Sequence, residues 1–156
     1  MNHMVGKECN RINTGQEWCQ PCSALHFEEN FPNWTSGNVE VDRCIQKIQL
    51  SAKDKSKTIE WISYDKFREI QYITKGGFSD VYRAIWPDGN IERWDIENQR
   101  WKRYKENQYV ALKRYRKSDV TRELFQEVFL MFFLKSILYL YIHVIFMFLF
   151  LDFITQ

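Results

Sequence analysis

The first clear hydrophobic period lies between residues 38 and 52. Apolar side chains recur there at offsets 0, 3, 4, 7 and 11, and they belong to Val41, Cys44, Ile45, Ile48 and Ala52. Such spacing places all of them on one face of a helix. Asn38 stands just before them and suits the N-cap position. The pattern therefore predicts one amphipathic helix.

An extended pattern replaces the helical one from Ile59 onward. The stretch "FREIQYI" is rich in β-forming residues, and "DVYRAIW" and "QYVALKRY" alternate between apolar and polar positions. These stretches predict three strands, of which the first two are joined by a glycine-bearing turn at residues 76–77. "WPDGN" predicts a further turn, because proline presets φ and glycine accepts a positive φ.

Two segments beside the third strand follow other patterns. The polar stretch "IERWDIENQRWKRYKEN" before it is interpreted as an insertion on the surface. After it, Asp119 is the expected cap of a helix whose Val120, Leu124 and Val128 share one face.

The last 29 residues differ from the rest, because 23 of them are Phe, Leu, Ile, Val, Met or Tyr. One interpretation is an apolar helix that anchors the chain in a membrane through residues 137–151, with the N-terminus in the cytosol. The 16 uncharged residues between Lys135 and Asp152 are fewer than the roughly 20 that span a bilayer. The other interpretation, which we favour, is an aberrant segment such as translation through an unspliced intron.

Composition narrows the classes of partner. With 22 basic and 20 acidic side chains the net charge is +2, so nothing favours binding to nucleic acid. The N-terminus lacks the apolar stretch of a signal peptide. We therefore expect a cytoplasmic protein, or alternatively a tail-anchored one.

The four cysteines lie in the first 44 residues. Cys19 and Cys22 have the two-residue gap that lets two thiolates face one zinc ion. Cys9 and His26 would complete a Cys₃His set, and the alternative is a group of plain reduced thiols. Cys44 is assigned to the apolar face of the predicted helix, where a structural cysteine is common.

The glycine-bearing turn and the third strand together suggest a nucleotide site. A glycine turn lets backbone N–H groups approach phosphate oxygens. Val81 and Ala111 could cover the face of a flat base, and Lys113 shares the strand face of Ala111 and could reach the phosphates. A carboxylate from Glu127, or from Glu123 as the reserve candidate, could hold the lysine.

These residues resemble the N-terminal lobe of a protein kinase, through "YITKGGFSDVYRAIW", "VALK" and "ELFQEV" in the family's order. The stretch from about Cys9 to Glu127 also resembles a large group of kinase-domain proteins expanded in soil and mycorrhizal fungi. Thr74 and Ser79 stand where the family has its first and third glycines, and Ser63 stands where it has proline. The resemblance implies an ion pair between Lys113 and Glu127 and a set of ATP-binding residues: Thr74, Lys75, Gly76, Gly77, Phe78, Ser79, Val81, Ala111 and Lys113.

The family's catalytic motifs do not occur in this sequence. Neither an H-R-D loop, whose aspartate accepts the substrate proton, nor a D-F-G aspartate, which holds Mg²⁺, is present. We therefore expect ATP as a ligand, no catalytic residue and no Mg²⁺ ligand in this chain, and no phosphoryl transfer by it alone. The protein substrate is not defined by the sequence.

The predicted fold class is α+β, and four segments are expected. They are a Cys-rich, zinc-binding module at 1–31, a helix and linker at 32–60, a truncated kinase N-lobe at 61–127 with an antiparallel sheet and αC helix, and an apolar C-terminal helix at 128–156. The function implied by the resemblance is that of a protein kinase in signal transduction. The alternative is a non-catalytic zinc-binding or interaction protein.

Overall fold

The computed structural model describes residues 5–76 and 79–115 and the backbone of residues 147 and 148. The chain divides into two compact units, the first comprising Met1–Trp61 and Asp88–Glu106 and the second Ile62–Pro87 and Asn107–Gln156. Helices α1 and α2 span Gln20–Asn30 and Val39–Ser51, and short 3₁₀ helices lie at Phe31–Asn33, Lys55–Lys57 and Tyr64–Lys66. The strands are β1 Arg68–Lys75, β2 Ser79–Trp86, β3 Asn90–Asp95, β4 Arg100–Tyr104, β5 Gln108–Tyr115 and β6 Met147–Phe148.

The α+β class is confirmed, with an antiparallel sheet and two α-helices among the described residues. Strands β1, β2 and β5 are the three predicted strands, and they pair antiparallel in the order β1-β2-β5. β6 pairs parallel with β5. β3 and β4 form a separate two-stranded sheet.

The core of the second unit lies on one face of β2 and β5. Alternation along these strands sends Ala84 and Trp86 to the same side as Val110 and Leu112. Ile62 and Phe67, which precede β1, complete this core. Among the described residues, the opposite face of β2 and β5 does not contribute to this core.

Helix α2 forms as the sequence predicts. The Asn38 side chain accepts hydrogen bonds from the backbone N–H groups of Glu40 and Val41, at 2.9 and 3.3 Å. These bonds satisfy donors that would otherwise lack partners in the first turn. Val41 and Ile45 are buried on the predicted apolar face.

Helix α1 was not predicted from the sequence. Cys19 takes the N-cap position with extended backbone, and Pro21 falls in the first turn. Proline suits that position, since its fixed φ is helical and its missing N–H has no partner to lose. Its buried residues are Cys22, Ser23 and Phe27, which give too weak a period to predict the helix from sequence.

The segment interpreted as a surface insertion forms the β3–β4 hairpin of the first unit. Ile91 of this hairpin is buried in a core with Trp18, Phe27 and Ala52, and Trp101 packs against that core. The interpretation as a surface insertion was wrong because it was based on the many charged residues of this segment. Alternation along a strand puts such residues on one side and leaves apolar ones to pack on the other.

The predicted "WPDGN" turn is present, and both its backbone conformation and its close packing require glycine at position 89. Gly89 has φ of 69°, and a Cβ at this position would collide with the backbone carbonyls of Tyr104 and Lys105. Gly37 has a similar φ of 78° but nothing within 4 Å of its Cβ position. A side chain at either position would be strained by the positive φ, but only a side chain at Gly89 would also collide with other atoms. Comparing the two positions therefore distinguishes the two effects on stability.

We expect Gly89→Ala to lower the free energy of unfolding of the first unit by about 3 kcal/mol, and Gly37→Ala by about 1 kcal/mol. Both alanines would be strained at positive φ, and only the first would also have to displace backbone. Urea titrations followed by amide exchange would measure the difference. Equal effects for the two variants would contradict a collision with the backbone at position 89.

Several expectations concern residues outside the described part of the chain. These are the helix capped by Asp119, the carboxylates Glu123 and Glu127, the loop residues Gly77 and Phe78, and the apolar segment 128–156 with its membrane span at 137–151. Among the helices that the structure describes, none is long and apolar enough to cross a bilayer.

Candidate functional site

Three cysteines of the first unit come together in one group. The sulfur atoms of Cys9, Cys19 and Cys22 all lie within 4.8 Å of one another, and those of Cys9 and Cys19 are 3.4 Å apart. No described cysteine forms a disulfide. Three sulfurs at this spacing can bind a metal ion between them.

The local fold explains how residues ten or more positions apart meet. Cys9 lies in a turn in which the Gly6 N–H donates to the Arg11 carbonyl at 2.8 Å and Asn10 has a left-handed φ of 55°. Cys19 and Cys22 sit at the start of α1, where Cys19 is the N-cap and its carbonyl accepts from the Ser23 N–H at 2.9 Å. The turn and the helix start therefore present their sulfurs to a common point.

The protein environment acts differently on the thiols. The backbone N–H of Arg11, followed by the side chains of Cys22 and Cys19, lowers the pKa of Cys9 below its usual value. Burial, followed by the neighbouring thiols, raises the pKa of Cys22 well above its usual value. Cys22 therefore stays protonated without a cation, and metal binding there would release a proton.

His26, the predicted fourth ligand, is not a member of this group among the described residues. Its Nε2 lies 2.9 Å from a carboxylate oxygen of Glu8, and its ring stacks on Trp94 with centroids 3.8 Å apart and planes 10° apart. The side chain is mostly buried, with 13% of its surface exposed. Two partners that the sequence did not suggest thus hold the imidazole.

The predicted nucleotide residues lie on the face of the second unit's sheet that is opposite its core. Val81 is directly across from Lys113 in the β2–β5 register, and Arg83 is across from Ala111. Residues directly opposite each other, or two apart, share a face. The register therefore brings Val81, Ala111 and Lys113 to one side, and each of these residues is half-buried.

The turn between β1 and β2 is closed by its own backbone. The Gly76 N–H donates to the Ser79 carbonyl at 2.6 Å, so it is engaged within the turn. A Cβ at Gly76 would lie 3.1 Å from the same carbonyl oxygen, which explains why glycine suits this position. Thr74 and Lys75 are exposed at the end of β1, and Ser79 is half-buried.

Arg83 is a residue of this face that the sequence reasoning missed. Its guanidinium donates to the Gln71 side chain at 2.7 Å and lies 5.3 Å from the centroid of the Tyr109 ring. It adds a second cation beside Lys113 on the side where an anionic ligand was predicted. The strand period contains the signal, since Arg83 is two positions after Val81.

Comparison with known proteins finds no match for this chain among protein-family models, curated proteins or solved structures.

Proposed function

We propose that the second unit binds ATP on the sheet face that carries Val81, Ala111 and Lys113. The observation that supports this proposal is the β2–β5 register, which sets Lys113 opposite Val81 and Ala111 beside them. The resemblance to a protein kinase N-lobe implies that a base would lie against Val81 and Ala111, and that the Lys113 ammonium would contact the phosphates.

The charge of this face fits an anionic ligand. Arg83 and Lys113 point to the same side of the sheet, because they are opposite Ala111 and Val81 in the register. Phosphate oxygens form charge-assisted hydrogen bonds with both kinds of cation. By its resemblance the chain is a protein kinase family member, and the absence of H-R-D and D-F-G motifs from its sequence leads us to expect nucleotide binding without phosphoryl transfer.

We expect Lys113→Met to weaken ATP binding by about 10-fold to 100-fold, because a hydrogen bond to a charged group contributes about 1.5–3 kcal/mol. Lys66→Met is the matched control, since Lys66 is an exposed lysine of the same unit. Isothermal titration of the whole chain with ATP would measure both. An unchanged dissociation constant for Lys113→Met would contradict the proposed site.

A second candidate function is favoured by the cysteine group. We infer that the first unit binds zinc through Cys9, Cys19 and Cys22 as a structural ion, in a non-catalytic module that presents a surface to a partner protein. Zinc would supply the cross-link that a unit with so small a core otherwise lacks. Elemental analysis of the freshly purified chain should find about one zinc per chain, and a content near zero after purification with zinc would contradict this function.

A further inference from the structure

One buried position beside the cysteine group, in the turn that carries Cys9, has no side chain. Gly6 precedes Cys9 with the same two-residue spacing that separates Cys19 from Cys22. A Cβ at Gly6 would lie 3.5 Å from the Cβ of Cys19. The position that faces the other cysteines is therefore occupied by a residue without a side chain.

His26 does not supply a fourth ligand atom to this group in the structure. Its Nε2 is paired with Glu8, and its ring is stacked on Trp94. Moving it to the sulfurs would break the hydrogen bond to Glu8 and the stacking on Trp94. Among the described residues, the metal-ligating atoms that come together are the three sulfurs alone.

We propose that a metal ion held by Cys9, Cys19 and Cys22 keeps an exchangeable fourth position that accepts a neutral imidazole from outside the chain. Metal sites with three protein ligands take a solvent or substrate ligand in the remaining position. The proposal rests on metal binding by the cysteine group. It leaves the ion its structural role in the first unit and also makes the group a docking point for a histidine side chain.

Charge and access favour this class of ligand. Three thiolates and a divalent ion carry a net charge of −1, and a neutral imidazole would leave that charge unchanged. Imidazole nitrogen is an ordinary ligand of zinc, and three cysteines with one histidine form a common tetrahedral set. Cys9 is the most accessible of the three cysteines, since Cys19 and Cys22 are each 9% exposed, and a small ring can approach from its side.

Cobalt(II) is the probe for this position, because its d–d bands respond to the fourth ligand. The whole chain is loaded with Co²⁺ and then titrated with imidazole, and a saturable shift of the d–d bands is expected. Gly6→Cys should give the stronger sulfur charge-transfer band of four thiolates and no shift with imidazole. The substitution fits sterically, since the closest atom to the added Cβ is the flexible end of the Asn13 side chain at 3.1 Å.

The controls test whether either of the two histidines of the first unit supplies the fourth ligand. His26→Phe keeps a ring that can stack on Trp94 but has no nitrogen, and His3→Ala removes a histidine of the N-terminus. Both should leave the Co²⁺ spectrum and the imidazole shift unchanged. A spectrum altered by either substitution, or a wild-type spectrum that ignores imidazole, overturns the proposal. Failure of the chain to take up any Co²⁺ would instead overturn metal binding itself.

Discussion

Cys22→Ser is expected to reduce bound zinc from about one equivalent to near zero and to unfold the first unit. Cys22 is buried at the start of α1, and its sulfur is one of the three that meet within 4.8 Å. Structural zinc contributes apparent free energies of about 10–16 kcal/mol in small zinc-binding peptides, which is as large as the whole stability of an ordinary domain, about 5–15 kcal/mol. Loss of the zinc ion should therefore remove more free energy than the small core of the first unit supplies.

Cys44→Ser is the matched control for this substitution. Cys44 lies on α2 outside the sulfur group, and burial raises the pKa of its thiol, so it stays neutral. This variant should keep its zinc and its fold. Metal analysis together with amide exchange in α1 and β3 would make the comparison. Equal zinc in both variants, or full amide protection in Cys22→Ser, would contradict a structural metal site.

Trp18→Ala is expected to lower the free energy of unfolding of the first unit by about 3–5 kcal/mol. Trp18 is 1% exposed and is one of the largest buried side chains of this unit. Its ring stacks with Trp101 at 5.7 Å between centroids, and its Nε1 donates to the Ala52 carbonyl at 2.8 Å. The substitution would leave a cavity and an unsatisfied carbonyl together.

Leu25→Ala provides the control, because Leu25 is on α1 in the same unit but is 59% exposed. Its effect should stay within about 0.5 kcal/mol. Urea unfolding followed by amide exchange of α1 and β3–β4 would report on the first unit. A loss below about 1 kcal/mol for Trp18→Ala would show that this core does not hold the unit together.

Local signals in the sequence were sufficient for a good part of the fold. Asn38 and the apolar period behind it predicted α2, since a cap and one face of a helix are properties of neighbouring residues. Alternation predicted β1, β2 and β5 for the same reason. The "WPDGN" turn was predicted because glycine accepts a positive φ, and Gly89 does adopt one.

The candidate sites were predictable to a smaller extent. The spacing of Cys19 and Cys22 pointed to a metal, and the structure brings Cys9 to them. The choice of His26 as a ligand came from counting metal-ligating residues, and such counting cannot show that Glu8 and Trp94 hold that ring. Arg83 was not predicted because it lies outside the motif residues on which the resemblance rests, although the strand period places it on the face of Val81.

The local sequence pattern thus determined which of these segments become helix or strand and which residues share a face. Tertiary structure alone decided that the β3–β4 hairpin joins Trp18 and Phe27 in one core, and that Trp94 stacks on the ring of His26. These contacts join residues far apart in sequence, and their free energy comes from burying apolar surface that no local pattern counts. For that reason the polar-looking segment around Trp101 was misjudged while the helix behind Asn38 was not.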